Sequence, residues 1–150
     1  MKAGAICNRQ VIIAWYDEPV LEAARRMRSA HVGDVVIVEM MEDERIPRAI
    51  LTDRDIAVSL LAQSGGRLET LLVGDVVAHE LVTVREEADQ SEVLSTMESQ
   101  GVRRLPVVNS KGGLVGIITF DDLLDLMAEQ LSVLARVAKQ QQKTESRRKR

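Results

Sequence analysis

The sequence predicts an α/β fold made of two similar halves whose sheets pack face to face. Three observations carry this. Val35-Val36-Ile37-Val38 matches Leu105-Pro106-Val107-Val108 at an offset of 70, and at the same offset Glu22, Met27 and Val32 fall on Glu92, Met97 and Val102. Farther on, Ala49-Ile50-Leu51-Thr52-Asp53-Arg54-Asp55 matches Gly116-Ile117-Ile118-Thr119-Phe120-Asp121-Asp122 at an offset of 67. Within each half, β-branched runs too short for a helix alternate with stretches whose apolar residues recur every three or four positions.

Each half reads β-α-β-β-α. The first opens on an extended segment around Val11-Ile12-Ile13, the second on Leu81-Val82-Thr83-Val84. A helix follows. In the first half Asp17 is placed to cap it, Pro19 suits an early helical position, and Leu21, Ala24 and Met27 keep helical spacing. In the second half Asp89 to Gln100 carries Val93, Leu94 and Met97. The four-residue runs then form strands. Glu39 to Arg48 reads as a charged turn, and the shorter Asn109 to Val115 answers it and absorbs the three-residue slip. A further strand ends at Thr52 or Thr119, where Thr-x-x-Asp opens the last helix as a capping box with Asp in place of Glu.

The first of these last helices is expected to stop near Gln63-Ser64-Gly65-Gly66. The second runs on through Leu124, Met127, Leu131, Leu134 and Ala138. From Gln140 there is no apolar residue, and a frayed or disordered tail is expected. Residues 6–66 and 67–130 are thus the two repeats, and 131–150 an extended helix with a basic tail. A half of about 60 residues buries its faces poorly alone. Two halves packed sheet to sheet solve that and leave two equivalent clefts.

Composition narrows the function. Of the 150 residues 45% are hydrophobic and 29% charged, the balance of an ordinary globular core and surface. Mean hydropathy is −0.05, and no apolar run approaches the roughly 18 residues of a membrane span. The first residues lack the pattern of a signal peptide, so the expected compartment is the cytoplasm. One cysteine, Cys7, gives no internal disulfide and no cysteine zinc cluster, and His31 and His79 supply a metal site poorly. Aromatics are 2%, which argues against a reader that stacks nucleic-acid bases. From Arg136 onward seven basic residues stand against one acidic, while the remaining 135 residues hold thirteen basic and twenty-two acidic. An acidic body therefore carries a short basic tail, read here as a solvated segment.

Among candidate residues, Asp55 and Asp122 each stand at a helix start, where a carboxylate complements the dipole or takes paired hydroxyl donors. Arg54 precedes one and suits phosphate; Asp121 precedes the other and would repel it. Arg103 and Arg104, adjacent before a strand, are expected to point to opposite sides. His31, His79 and Cys7 read as ordinary structural positions. No nucleophile–base pair, metal cluster or phosphate loop is visible, and no enzyme is expected.

The second half carries Arg103-Arg104-Leu105-Pro106-Val107-Val108 and Gly116-Ile117-Ile118-Thr119-Phe120-Asp121-Asp122. The first half is looser, with Val36 in the proline place and Ala49 in the glycine place, yet keeps Leu51-Thr52-Asp53-Arg54-Asp55-Ile56. Over about residues 6 to 130 the chain resembles the cystathionine β-synthase (CBS) domain, which occurs in tandem pairs called Bateman modules. The resemblance is closest to small bacterial stand-alone pairs.

The resemblance implies repeats related by a pseudo-twofold axis, a homodimer, and clefts that take AMP, ADP, ATP or S-adenosylmethionine. It implies that Asp55 holds a ribose, that Thr52, Arg54 and Arg104 lie near phosphates, and that Val82 and Thr83 wall the base. Thr119 and Asp122 with Ile12 and Ile13 would form the second cleft. The expected function is a regulatory module that senses an adenosine-type ligand and signals to an effector protein. The alternative is a structural or interaction pair with degenerate clefts. No cofactor and no resident metal are expected.

Overall fold

The structure, a computed structural model, describes residues 1–62, 69–77 and 80–148. The expected helix end at Gln63 to Gly66, His79, and the last two residues of the tail lie outside the described residues. The chain divides into two units, Met1–Ile118 and Thr119–Arg150.

The elements of the first repeat are α1 (Ala3–Ile6), β1 (Ile13–Ala14), α2 (Val20–Ala30), β2 (Asp34–Met41), β3 (Glu44–Thr52) and α3 (Asp53–Ala62). Those of the second are α4 (Val73–Val76), β4 (Val84–Arg85), α5 (Gln90–Gln100), β5 (Arg104–Val108), β6 (Leu114–Thr119) and α6 (Phe120–Arg148). Two three-stranded sheets result, ordered β1-β2-β3 and β4-β5-β6. The β-α-β-β-α order therefore stands in both halves. Each is preceded by a short helix that periodicity could not reveal, since four residues make about one turn.

The run Val35–Val38 is apolar throughout because both faces of β2 are covered. Val35 and Ile37 join Ala14, Val20, Met27, Leu51, Val73 and Val76 in one core. Val36 and Val38 face the other way, against Ile117, with Ile13, Trp15, Ile50 and Leu114 packed around them. This second cluster draws residues from both sheets, and it is where the sheets pack. Side chains alternate between faces along a strand, so only a doubly buried strand reads as a continuous apolar run.

The two repeats exchange their opening turns. Ala3 and Gly4 donate to the carbonyls of Ala88 and Glu86, at 2.8 and 2.9 Å, and Val73 and Gly74 donate to Glu18 and Tyr16, both at 2.9 Å. Lys2 bridges to Asp89 and Leu72 to Pro19. Every partner in one set lies 70 residues from its counterpart in the other, so the pairing obeys the pseudo-twofold relation. The equivalent glycines have a reason: a Cβ on Gly4 would meet Glu86 Cβ at 3.1 Å, and one on Gly74 would meet Tyr16 Cδ1 at 3.2 Å.

Three local expectations are corrected. Pro19 is the cap of α2 rather than its early turn, at φ −61° and ψ 137°, and no side chain caps the helix, Asp17 included. The charged segment Glu39 to Arg48 is mostly strand. β2 and β3 continue as a hairpin that turns at Glu42 and Asp43, with φ of 48° and 65°, and the register shifts between Ile37 and Val38. Two consecutive residues at positive φ make the turn that matches strand twist. The opening strands are shorter and later than expected. β1 pairs Ile13 with Val36, while β4 begins its pairing one equivalent place later, at Val84 with Val107. Val36 donates its N–H to the Ile12 carbonyl at 2.9 Å. Pro106, its counterpart, has no N–H to give, so Val82 receives no such bond.

The second unit contains α6, 29 residues or about 43 Å of helix. It continues past Gln140, where fraying was expected. Gln, Lys, Glu and Arg are strong helix formers. Gln141 Nε2 donates to Glu145 Oε1 at 3.1 Å, and Arg147 and Arg148 complement the carboxyl-terminal dipole. Leu124, Met127, Leu131 and Leu134 are exposed along it.

Candidate functional site

At the end of β3 the chain turns into α3 through a reciprocal cap. Asp55 N donates to Thr52 Oγ1 at 3.1 Å, and Thr52 N donates to Asp55 Oδ2 at 3.0 Å. Two helix-start N–H groups are satisfied this way, and the half-buried Asp55 carboxylate is held in one rotamer.

Beside the cap lies a cleft of about 830 Å³. The first repeat contributes Ile50, Thr52 and Asp55. The second contributes Glu80, Leu81, Val82 and Thr83 ahead of β4, and Gln100 to Arg104 where α5 turns into β5. That turn is made by Gly101 at φ 64°, the left-handed end of α5. Apolar walls from Ile50, Leu81, Val82 and Val102 thus stand next to two carboxylates and two guanidiniums.

Of the expected site residues, Thr52, Asp55, Val82, Thr83 and Arg104 line this one cleft. Arg54 does not. It is exposed on the first turn of α3, its N–H on Asp53 Oδ1. Arg103 and Arg104 both line the cleft rather than splitting between two sides. Only Arg104 belongs to the pleated strand, and Arg103 sits in the preceding corner where strand alternation does not apply. Ile12 packs on the first core and Ile13 on the second. Thr119 and Asp122 form the same reciprocal cap within the second unit: Thr119 N and Oγ1 donate to Asp122 Oδ2 at 2.9 and 2.7 Å, and Asp122 N donates to Thr119 Oγ1 at 3.1 Å. Asp122 is exposed where Asp55 is half-buried.

Residue-by-residue reading missed Ile50, Glu80, Gln100, Gly101 and Val102 on the cleft wall. It also missed Asp34, whose Oδ2 lies 3.2 Å from Arg104 Nε. Burial pushes the Asp34 carboxyl above its ordinary range; Arg104 pulls it down and Asp53 pushes it up. The offset of 70 that aligns the repeats sets Asp34 against Arg104, so the signal was present in the sequence.

His31 ends α2 at φ 55°, the place Gly101 holds in α5. The half-buried Cys7 thiol contacts the Gly4 carbonyl at 3.6 Å, and burial pushes its pKa up, away from thiolate chemistry. Gly116 lies so close that an added Cβ would meet Cys7 Sγ at 2.5 Å and the Asn8 carbonyl at 2.7 Å, which accounts for glycine there. Among the described residues no three His, Cys, Asp or Glu side chains group to hold a metal. Nor is any helix among them long and apolar enough to cross a membrane.

Comparison with known proteins agrees with this fold. The sequence model of the CBS domain matches twice, over residues 3–62 and 73–129. An uncharacterized protein of Methanopyrus kandleri is 32% identical over 126 residues, 84% of this chain and 62% of that protein, so the chain spans about three fifths of that relative. Hypoxic response protein 1 of Mycobacterium tuberculosis is 34% identical over 128 residues, 85% of this chain and 86% of the relative. A crystal structure of hypoxic response protein I with two coordinated zinc ions has a TM-score of 0.71, covering 83% of this chain and 98% of that one. The cytosolic domain of the Mg2+ channel MgtE in complex with ATP is 28% identical, with a TM-score of 0.68 over 83% of this chain and 48% of that one. The CBS domain pair of a protein crystallised with 5′-methylthioadenosine and S-adenosylmethionine shares the fold at 22% identity, with a TM-score of 0.71 over 85% of this chain and 99% of that one.

Proposed function

The chain belongs to the CBS domain family, and from that premise we propose that it is a regulatory binding module, not an enzyme. Its cleft takes an adenosine-containing ligand of the AMP, ADP, ATP or S-adenosylmethionine class and passes the binding on to a partner protein. The observation that carries this reading is the Thr52–Asp55 cap opening onto an apolar slot with arginines at its rim. One carboxylate oxygen of Asp55 is held by the cap and the other can take a ribose hydroxyl. Ile50, Val82 and Val102 suit the flat face of a purine. The Val82 carbonyl, without a bond from Pro106, is an acceptor for the exocyclic amine. The 28% identical structure in complex with ATP supports the ligand class.

Two of the departures from the family pattern, Val36 and Ala49, do not argue for a degenerate cleft at Asp55. Val36 and Ala49 are core residues, 0% and 1% exposed. Neither lines the cleft.

The test is thermal shift with adenosine, AMP, ATP and S-adenosylmethionine, followed by calorimetry on variants. A ligand at 100 times its Kd adds about 2.7 kcal/mol, a shift of several degrees for a domain of this size. Asp55→Ala should remove most binding and Asp122→Ala little. No shift with any of the four at millimolar concentration overturns the ligand reading and leaves an interaction module.

A further inference from the structure

We infer that Asp34 decides which adenosine ligand the cleft prefers, by holding Arg104 against the pull of a ligand phosphate. The inference rests on the adenosine reading above and narrows it to ligands with little negative charge at the 5′ end. Asp34 and Arg104 begin β2 and β5, at equivalent places in the two repeats, and they meet: Oδ2 to Nε is 3.2 Å. Their side chains are 20% and 37% exposed, so water screens the pair incompletely. Arg104 Nε is buried, and its N–H is not aimed for a hydrogen bond to any acceptor among the described residues. Charge, rather than a directed bond, keeps the two together. A guanidinium whose Nε is held to Asp34 by charge alone can be drawn to another anion, and a phosphate entering the cleft that Arg104 lines is such an anion.

Moving Arg104 leaves a problem behind it. Asp34 would lose the cation that offsets its burial while Asp53 remains close enough to act on its charge. A phosphate drawn to Arg104 therefore meets both the competition of Asp34 and its repulsion. Among the described residues the rim offers no surplus of positive charge to compensate. Arg103 and Arg104 are matched by Asp55 and Glu80, and Asp34 adds one more negative charge behind them. Adenosine, or a nucleoside with an uncharged or cationic 5′ group, asks nothing of Arg104. A triphosphate asks the most.

Calorimetry with adenosine, AMP and ATP on the wild type, Asp34→Asn, Arg104→Gln and the double variant reads this directly. The wild type should bind adenosine more tightly than ATP. Asp34→Asn should tighten ATP about tenfold, equivalent to about 1.4 kcal/mol, and AMP less, with adenosine unchanged within about twofold. In the Arg104→Gln background the same substitution should give less than half of that gain, since coupled residues are non-additive. Asp34→Ser serves if the asparagine variant melts early. A uniform change for all three ligands, an unchanged ATP affinity, or an equal gain in both backgrounds overturns the inference while leaving the adenosine reading intact. If a folded wild type binds none of the three, both fall together.

Discussion

His31 and Gly101 end equivalent helices in the same left-handed conformation, at φ 55° and 64°. Glycine adopts it without cost, whereas a residue with a Cβ is strained there. His31→Gly should therefore stabilise the protein by about 0.5–1 kcal/mol, read as a higher urea midpoint at unchanged slope. An unchanged or lower midpoint would show that the imidazole contributes something that outweighs the strain. Two carboxylates pull stability in opposite directions with pH. Asp34 is raised, so the folded protein binds its proton more readily than the unfolded chain. Its contribution falls as pH climbs from the ordinary value of 3.8 through the raised one. Asp89 is lowered, first by the Glu92 N–H that it accepts at 3.0 Å as the cap of α5. Its stabilisation is present above 3.8 and is lost as pH falls through the depressed value. In acid melts, Asp34→Asn should gain on the wild type as pH rises above 4 or so, whereas Asp89→Asn should lose ground as pH rises toward 4 and keep a constant deficit above it. The reverse order would contradict both assignments. Thr52, Asp55, Thr119 and Asp122 were legible in the sequence because a cap is a local motif with fixed spacing. Arg54 was singled out for a charge that suits phosphate, but a sequence gives charge and not placement, and the structure leaves it exposed and outside the cleft lining.

At the level of elements, α6 separates stability from helix content. Its side chains from Gln141 to Arg148 are exposed, and its bonds there are internal. Removing Gln141 to Arg150 should leave the melting temperature within a degree or two and lower the far-ultraviolet helix signal. A fall of more than a few degrees would mean that this segment docks on something in solution. Helix past Gln140 was hidden from the sequence because apolar periodicity vanishes there, and intrinsic propensity alone holds the turns. The β2–β3 hairpin was hidden for the complementary reason. Its outer β2 half, Glu39 to Met41, is exposed on both faces, and on β3 the half-buried places are held by residues as unlike as Glu44 and Ile46, so no apolar–polar alternation is there to read. α1 and α4 were signalled by Gly4 and Gly74 at the repeat offset, which asks for a small residue at a close approach.

For the molecule as a whole, we expect a homodimer. Leu124, Met127, Leu131 and Leu134 lie at three-and-four spacing on α6, with Leu131 66% and Leu134 65% exposed. A second copy offers the same seam, as isologous association requires. Sedimentation at micromolar concentration should report about twice 16.6 kDa, and Leu131→Glu with Leu134→Glu should return it to the monomer mass. A wild-type monomer excludes the seam as a self-association surface. The repeat and the order of its elements were readable because β-α-β-β-α recurs at a fixed offset, whereas the joining of the halves involves backbone bonds whose one trace in the sequence is the pair Gly4 and Gly74. Those bonds have a consequence for a chain still being made. Ala3 and Gly4 find their acceptors at Ala88 and Glu86, so the turn of α1 waits roughly 80 residues, about 4–16 s at ordinary elongation rates, before it can dock. The core around Val35 and Ile37 waits as well, since Val73 and Val76 complete it. During translation the first repeat therefore stays unfinished until α4 has been made, and its opening turn until the residues after β4 have followed.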